Sequence, residues 1–131
     1  MLYVDTNVVC NYLVNLDEQL HRRAMKALTN GQSYLISDVT LFEIVYVLNI
    51  RFKIDRDEIC FTLLDLLRQP FIKSENLTAQ MSALLLWSDE SLNYADFADC
   101  LLVERARSKG AEAVVSFDRH FDCLPFPNLK P

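Results

Sequence analysis

The sequence predicts an α/β protein, a three-layer sandwich built around a central, mostly parallel sheet. Short apolar, β-prone segments alternate along the chain with longer segments whose apolar residues recur at helical spacing. The 131 residues, 51% of them hydrophobic and only two of them glycine, are enough for one domain with its own core. Strands that alternate with helices are joined by right-handed crossovers and therefore pair in parallel.

Glycine and proline mark where several of these segments end. Gly31 and Gly110 follow helical stretches, and Pro70 stops another. Residues 91–94 are predicted to form a loop, and the proline-containing tail to be irregular or an edge strand. The predicted elements are, in order, a strand at 2–4, helices at about 8–13 and 17–30, a strand at 34–37, helices at about 40–52 and 55–69, a strand at 71–73, helices at about 77–89 and 95–109, and a strand at 113–116.

Composition excludes several classes of protein. The net charge of -5 argues against a broad basic surface that grips nucleic acid, although a local site remains possible. The four cysteines are scattered without a Cys-x-x-Cys pair, so neither a zinc site nor a disulfide framework is expected. The N-terminus resembles no signal peptide, and no apolar run approaches the roughly 20 residues that span a bilayer. We therefore expect a soluble, cytoplasmic protein.

Two acidic residues of the N-terminal half are candidates for a ligand site. Asp5 directly follows the first strand, and ligands of parallel α/β sheets bind at the carboxyl ends of strands, but Asp5 could equally be a helix cap. Glu43 lies three residues after Thr40, which is also the spacing of a capping box. Because its neighbours are apolar, the Glu43 carboxylate is expected to be partly desolvated, a cost that a bound cation would remove.

Three further acids lie in the C-terminal half. Asp96 and Asp99 are three positions apart, near one face at the start of a predicted helix. Asp96 is the more natural helix cap, so Asp99 is the preferred ligand and Asp96 its support. Asp118 follows the predicted strand at 113–116 and could also be an ordinary turn residue. The candidate acids are informative only as a set, whose members are expected at one edge of the sheet: Asp5, Glu43, Asp99 and Asp118.

Such a set of acids indicates a metal site. Three or four carboxylates within a few ångströms cannot all stay ionised unless protons or cations compensate them. Ligands that are all oxygen select hard ions, here Mg²⁺ or Mn²⁺. These ions characteristically assist reactions at phosphoryl groups, so the sequence favours a metal-dependent nuclease.

Four segments, read together, resemble the PIN domain family, and within it the VapC-type toxins of bacterial and archaeal toxin–antitoxin pairs. Their order, spacing and total length agree over nearly the whole chain, which predicts a single PIN-like domain over residues 1–131. The residues between positions 100 and 104 are larger than the alanines usual in relatives. The segments are Leu2-Tyr3-Val4-Asp5-Thr6-Asn7, Ile36-Ser37 through Thr40-Leu41-Phe42-Glu43-Ile44, Asp96-Phe97-Ala98-Asp99-Cys100-Leu101-Leu102, and Ser116-Phe117-Asp118-Arg119-His120-Phe121.

The resemblance implies an endoribonuclease that cuts single-stranded or looped RNA, acting as the toxin of a type II module. The four acids would be catalytic and would hold one or two Mg²⁺ or Mn²⁺ ions. Thr6 matches the hydroxyl residue that relatives place beside the first acid, and Asn7 is expected to assist in the same way. The resemblance also implies a homodimer held by a small antitoxin, for which the apolar helix around Glu43 would provide a groove.

The basic residues expected near the RNA are Arg119 and His120, with Arg51 and Lys53 as weaker candidates. Two other phosphoryl-transfer classes fit less well. A haloacid dehalogenase phosphatase needs a second aspartate where this chain has Asn7, and the set of residues of a phospho-receiver domain cannot be assembled. The alternative that stays open is a PIN-like module that binds RNA or protein without catalysis. Metal binding would separate it from the nuclease.

Overall fold

The computed structural model describes residues 1–92 and 95–131. They form two compact units, Met1–Glu75 and Asn76–Pro131. In both units helices alternate with short strands, and every pair of strands in the described residues is parallel. The predicted α/β class is therefore confirmed. The five strands belong to two sheets, one of three strands and one of two.

The N-terminal unit contains the three-stranded sheet, with β2 in the centre. Leu2 pairs with Tyr34, and Tyr34 with Ile72. All three residues of β2 are buried, as expected for a central strand covered on both faces. The elements of this unit are β1 (Leu2–Tyr3), α1 (Thr6–Leu13), α2 (Glu18–Leu28), β2 (Tyr34–Ile36), α3 (Asp38–Tyr46), α4 (Arg56–Leu67) and β3 (Ile72–Ser74).

Helix α3 buries the apolar stripe that its sequence predicts, and Leu41, Ile44, Val45 and Leu48 are at most 2% exposed. The observed bounds of this helix differ from the predicted 40–52 by two residues at the start and one at the end. The helix begins at Asp38, and from Val47 to Arg51 it continues as a π-helical turn, in which the Phe52 amide donates to the Val47 carbonyl. Such a turn contains one residue more than the α-helical repeat and interrupts the helical ladder.

The C-terminal unit packs α5 against α6, and the ring of Trp87 meets that of Phe97 edge-on, with centroids 5.8 Å apart. The predicted loop at 91–94 begins as a 3₁₀ turn, Glu90–Leu92, and its last two residues lie outside the described residues. The elements of this unit are α5 (Leu77–Ser88), the turn Glu90–Leu92, α6 (Phe97–Ser108), β4 (Val114–Val115), a 3₁₀ turn (Arg119–Cys123) and β5 (Asn128–Leu129).

The tail contributes an edge strand, β5, which is one of the two forms that the sequence predicts for it. Val114 of β4 pairs with Asn128 of β5. The strand before Asp118 is buried on one face only, because Val114 is 7% exposed and Val115 is 67% exposed. Arg107 holds the tail against α6: its guanidinium donates to the Pro125 carbonyl at 2.6 Å and lies 5.1 Å from the ring centroid of Phe126.

Within residues 1–92 and 95–131, no helix is both long and apolar enough to cross a membrane. The four cysteines are free thiols.

Candidate metal centre

Asp5 occupies the position before the first turn of α1, but its carboxylate does not cap the helix. Its backbone is extended, with φ -89° and ψ 157°, and its side chain makes no capping hydrogen bond. Only its backbone carbonyl takes part in the helix start, accepting from the Val8 amide at 3.2 Å. The simple cap explanation therefore does not account for this exposed carboxylate, which is available to a ligand.

Glu43 is not part of a capping box, so that reading of its spacing from Thr40 was wrong. Ser37 is the cap of α3, and its hydroxyl accepts from the Thr40 amide at 3.2 Å. Glu43 lies in the middle of the helix, where its Oε2 accepts a 2.9 Å hydrogen bond from the Thr6 hydroxyl. The Glu43 side chain is exposed, whereas its hydrogen bond to Thr6 is partly buried.

The Thr6 bond connects Glu43 to the segment that carries Asp5, since Asp5 and Thr6 are consecutive. The negative charge of Asp5 also acts on Cys10, one and a half turns further along the chain. Burial raises the pKa of the Cys10 thiol to about 11, and the Asp5 charge contributes to this increase. The raised pKa disfavours the Cys10 thiolate, which is the form of cysteine that acts as a nucleophile.

In the C-terminal unit, Asp96 and Asp99 form the capping box of α6. The Asp99 amide donates to Asp96 Oδ1 at 2.9 Å, and the Asp96 amide donates to Asp99 Oδ2 at 3.4 Å. Asp96 is thus the cap that the sequence predicted. Asp99 thus has a structural role as well, although the long bond to the Asp96 amide occupies only one of its oxygens.

The environment of Asp99 opposes its ionisation. Its pKa is raised above the ordinary aspartate value, first by burial and then by the negative charges of Asp96 and Asp118. The Asp96 amide and His120 act in the opposite direction without cancelling these effects. A cation bound beside Asp99 would remove the like-charge repulsion, so the local electrostatics favour a metal ion.

Asp118 begins the 3₁₀ turn that follows β4. Its own amide donates to the Ser116 hydroxyl at 2.9 Å, and its Oδ1 accepts from the His120 amide at 2.9 Å. The turn role expected from sequence is therefore real. The same carboxylate oxygen also contacts the His120 side chain, whose Nδ1 lies 3.3 Å from Asp118 Oδ1.

Asp99, Asp118 and His120 form the cluster in the described residues with potential metal-ligand geometry, and one ligand atom from each lies within 4.8 Å of the others. Ligand atoms bound at about 2.1 Å to one ion are separated by about 3 to 4.3 Å, so small side-chain movements would complete a shared coordination sphere. These residues therefore fit a divalent cation. The sequence places His120 near the RNA, whereas the structure groups it with Asp99 and Asp118, and the Asp-x-His spacing is the sequence signal for this grouping.

The remaining predicted site residues are exposed. Asn7 lies in the first turn of α1, and Arg119 begins the turn after Asp118. Arg51 ends the π-helical turn, and Lys53 follows it with a positive φ of 55°. Each unit thus carries its own group of candidate residues. The N-terminal group is Asp5, Thr6, Asn7 and Glu43, and the C-terminal group is Asp96, Asp99, Asp118, Arg119 and His120.

Parallel strands, crossover helices and carboxylates at strand ends and helix starts are the framework of PIN domains. The sequence model of the PIN domain matches residues 2–127, and the chain belongs to this family. Over its entire length the chain is similar to a VapC ribonuclease from Aquifex aeolicus (strain VF5), with 26% identity over 134 residues, which cover 97% of that relative. The family assignment confirms the PIN-like fold class and rules out the phosphatase and receiver alternatives.

A solved structure gives a weaker likeness. The chain is similar to the VapC20 toxin of Mycobacterium tuberculosis, which is described as cleaving the sarcin–ricin loop. The two sequences are 17% identical, the match covers 96% of each chain, and the TM-score is 0.45.

Proposed function

We propose that this chain is a divalent-metal-dependent endoribonuclease and the toxin of a type II toxin–antitoxin pair. The observation that carries the proposal is the cluster of Asp99, Asp118 and His120, in which the environment of Asp99 favours a bound cation. Membership in the PIN domain family and similarity to a VapC ribonuclease support the reaction class. We also propose that residues 1–131 act as a single PIN domain in the cytoplasm.

The proposed catalytic set joins the two groups of acids. Asp5 and Glu43 act together with Asp99 and Asp118 in holding one or two ions, and Asp96 supports Asp99 through the capping box. Thr6 orients Glu43 through its hydroxyl. Residues that orient metal ligands in this way are commonly important for metal affinity.

The proposed reaction is hydrolysis of an RNA phosphodiester. When bound, the divalent cation supplies positive charge that offsets the charge developing on the phosphoryl oxygens. Water attacks phosphorus, the bond from phosphorus to a ribose oxygen breaks, and that oxygen takes up a proton. A carboxylate of the proposed set accepts the proton that the attacking water releases.

His120 bears on the choice between Mg²⁺ and Mn²⁺. Mg²⁺ prefers oxygen ligands, whereas an imidazole nitrogen is a better ligand for transition ions. Since His120 lies with Asp99 and Asp118 in the cluster, we propose that Mn²⁺ is the preferred ion and that Mg²⁺ binds more weakly.

The proposed partners are a small antitoxin and a second copy of this chain. Exposed apolar side chains follow one side of α3 into the π-helical turn, namely Val39, Phe42, Tyr46 and Ile50. The rings of Phe42 and Tyr46 lie 6.4 Å apart. A protein partner would cover such a surface. A monomer by light scattering that remains soluble and active alone would contradict both partners.

The activity is tested by RNA cleavage with Mn²⁺. We expect Asp5→Asn and Asp99→Asn each to reduce the rate by at least about 100-fold, because each removes a charged ligand. Exposed acids outside the proposed set provide matched controls, Asp65→Asn for the N-terminal unit and Glu112→Gln for the C-terminal unit. Equal cleavage by wild type and Asp99→Asn would contradict the assignment. A chain that neither binds Mn²⁺ nor cleaves RNA would favour the non-catalytic RNA- or protein-binding module.

A further inference from the structure

A groove between α1 and α2 lies beside the N-terminal group of candidate residues. Its volume is about 520 Å³, within the range of sites that hold small ligands. Asn7, Val8 and Asn11 line it from α1, and Leu20 and Arg23 line it from α2, together with two alanines. The groove begins near the proposed catalytic acid Asp5, because Asn7 is only two residues further along the chain.

Hydrogen bonds hold the walls of the groove. The imidazole Nδ1 of His21 lies 2.7 Å from the Asn11 carbonyl and joins α2 to the end of α1. The Asn11 side chain is used within α1, where Nδ2 donates to the Asn7 carbonyl at 2.7 Å. A site with fixed walls loses less conformational entropy on binding than one that must be ordered.

The groove has the opposite charge to the protein as a whole. No acidic residue is among those that line it, although the chain carries a net charge of -5. Arg22, the residue before the groove-lining Arg23, makes a 2.6 Å ion pair with Glu18. In contrast, Arg23 makes no ion pair with any of the described residues, 1–92 and 95–131. Arg23 therefore offers its guanidinium to an anion, for which a phosphate is a geometric match.

The rest of the lining suits a base. Val8 and Leu20 provide apolar surface, and Leu20 is 42% exposed. The side-chain amide of Asn7, which has no hydrogen-bond partner among the described residues, offers both a donor and an acceptor. A nucleotide combines an anionic phosphate, an apolar base face and a hydrogen-bonding base edge, as this lining requires.

We propose that the groove binds one nucleotide of the RNA substrate close to the cleaved bond, with its phosphate at Arg23, its base over Val8 and Leu20, and the base edge at Asn7. This proposal deepens the proposed ribonuclease function and rests on it for the identity of the nucleic acid. An acidic segment of a protein partner is the competing occupant.

The first test measures binding of a fluorescently labelled single-stranded oligoribonucleotide in EDTA at several salt concentrations. We expect Arg23→Ala to weaken binding about tenfold and to reduce the slope of log affinity against log salt by about 0.7, the value for one lost phosphate contact on a single strand. Arg22→Ala is the matched control, because its charge is already paired with Glu18. Equal losses in the two variants would overturn the proposal.

Leu20→Ala tests the contribution of the base to binding separately from that of the phosphate. We expect weaker binding with an unchanged salt slope, because this variant removes apolar contact without altering charge. Circular dichroism of each variant checks folding. Should Leu20→Ala and Arg23→Ala both bind the oligoribonucleotide as wild type does, the groove is not an RNA site.

Two readouts distinguish failure of this inference from failure of the proposed function. In Mn²⁺, Arg23→Ala is expected to raise KM about tenfold with kcat nearly unchanged, because the lost contact serves binding alone. Normal cleavage with an unchanged KM overturns the groove but keeps the ribonuclease. RNA binding that depends on Arg23 in a protein without cleavage overturns the ribonuclease but keeps the groove. An acidic decapeptide that binds more tightly than the RNA, and only when Arg23 is present, overturns the RNA assignment.

Discussion

Thr6 and Glu43 are 37 positions apart, and the Thr6 hydroxyl donates a 2.9 Å hydrogen bond to Oε2 of Glu43. Thr6 is only 8% exposed, whereas Glu43 is exposed, so a buried side chain holds the carboxylate of an exposed one. The bond also joins the start of α1 to the middle of α3. In a metal site, such a partner determines which carboxylate oxygen remains free for the ion.

Thr6→Val tests this role. The substitution keeps the shape of the side chain but removes the donor, and we expect cleavage activity with Mn²⁺ to fall by about 10- to 100-fold, as is typical of residues that orient metal ligands. The free energy of unfolding should fall by only about 1 kcal/mol, the usual net value of one hydrogen bond. Thr6→Ser retains the hydroxyl and should recover most of the activity. Activity of Thr6→Val within twofold of wild type would contradict the role.

A second prediction concerns the start of α3. Ser37→Ala removes the side chain that accepts from the Thr40 amide, and we expect it to lower the free energy of unfolding by about 1 kcal/mol in urea denaturation. Thr40→Ala should cost less, because the Thr40 side chain is not the helix cap. The reverse order of the two effects would support the capping box predicted from sequence instead of the observed cap.

The two capping motifs show what local sequence can and cannot determine. Thr40 and Glu43 have the spacing of a capping box, and so do Asp96 and Asp99, but only the second pair forms one. The first fails because Ser37, three residues earlier, is an equally good cap and lies directly after β2. The choice is made by where the buried strand ends, which depends on packing across the sheet.

Asp99 provides a prediction about pH. Its pKa is raised in the folded protein, so the folded chain binds this proton more tightly than the unfolded chain does. The free energy of unfolding therefore decreases as the pH rises from the ordinary aspartate value of 3.8 through the raised pKa, and stays lower above it. In EDTA near pH 7, Asp99→Asn should thus be more stable than wild type.

This difference should shrink as the pH falls below about 4, where Asp99 is protonated in both states. Asparagine can still accept from the Asp96 amide, so the capping box is retained. Urea denaturation at both pH values measures the effect. With Mn²⁺ present the order should reverse, because the ion stabilises the wild-type site more. Lower stability of Asp99→Asn in EDTA near pH 7 would contradict the electrostatic explanation.

His120 provides a prediction about ion selectivity. Calorimetry should show tighter binding of Mn²⁺ than of Mg²⁺ to the wild type. His120→Ala should lose about tenfold in Mn²⁺ affinity with a smaller loss for Mg²⁺, because only the nitrogen ligand is removed. Arg119→Ala is the control, as it changes the adjacent exposed side chain and removes no candidate ligand. Equal losses for both ions would show that His120 does not select the metal.

The sequence predicted the periodic helices well, because burial of a stripe such as Leu41, Ile44 and Val45 follows directly from apolar spacing. It was less informative about the π-helical turn after Tyr46 and about which form the tail adopts. Asn128 has low strand propensity, and its pairing with Val114 depends on a tail held in place by Arg107.

The candidate site divides in the same way. The acids were found because their positions at strand ends and helix starts, and their family pattern, are local features of the sequence. Arg23 was not singled out, because two adjacent exposed arginines cannot be told apart from sequence. Only the ion pair between Arg22 and Glu18 distinguishes Arg22 from Arg23. Which cation is already neutralised is a property of side-chain geometry, and sequence spacing alone leaves it open.

The edge-on contact of Trp87 with Phe97 makes Trp87 an intrinsic fluorescent reporter of the start of α6. Trp87 is the single tryptophan of the chain, and Phe97, whose ring it meets, is the first residue of α6 and lies two residues before Asp99. Any change at the start of α6 will alter the surroundings of the indole, and the emission spectrum contains no other tryptophan to obscure it. Titrating Mn²⁺ while recording intrinsic fluorescence therefore follows the Asp99 end of the site without labels, RNA or turnover.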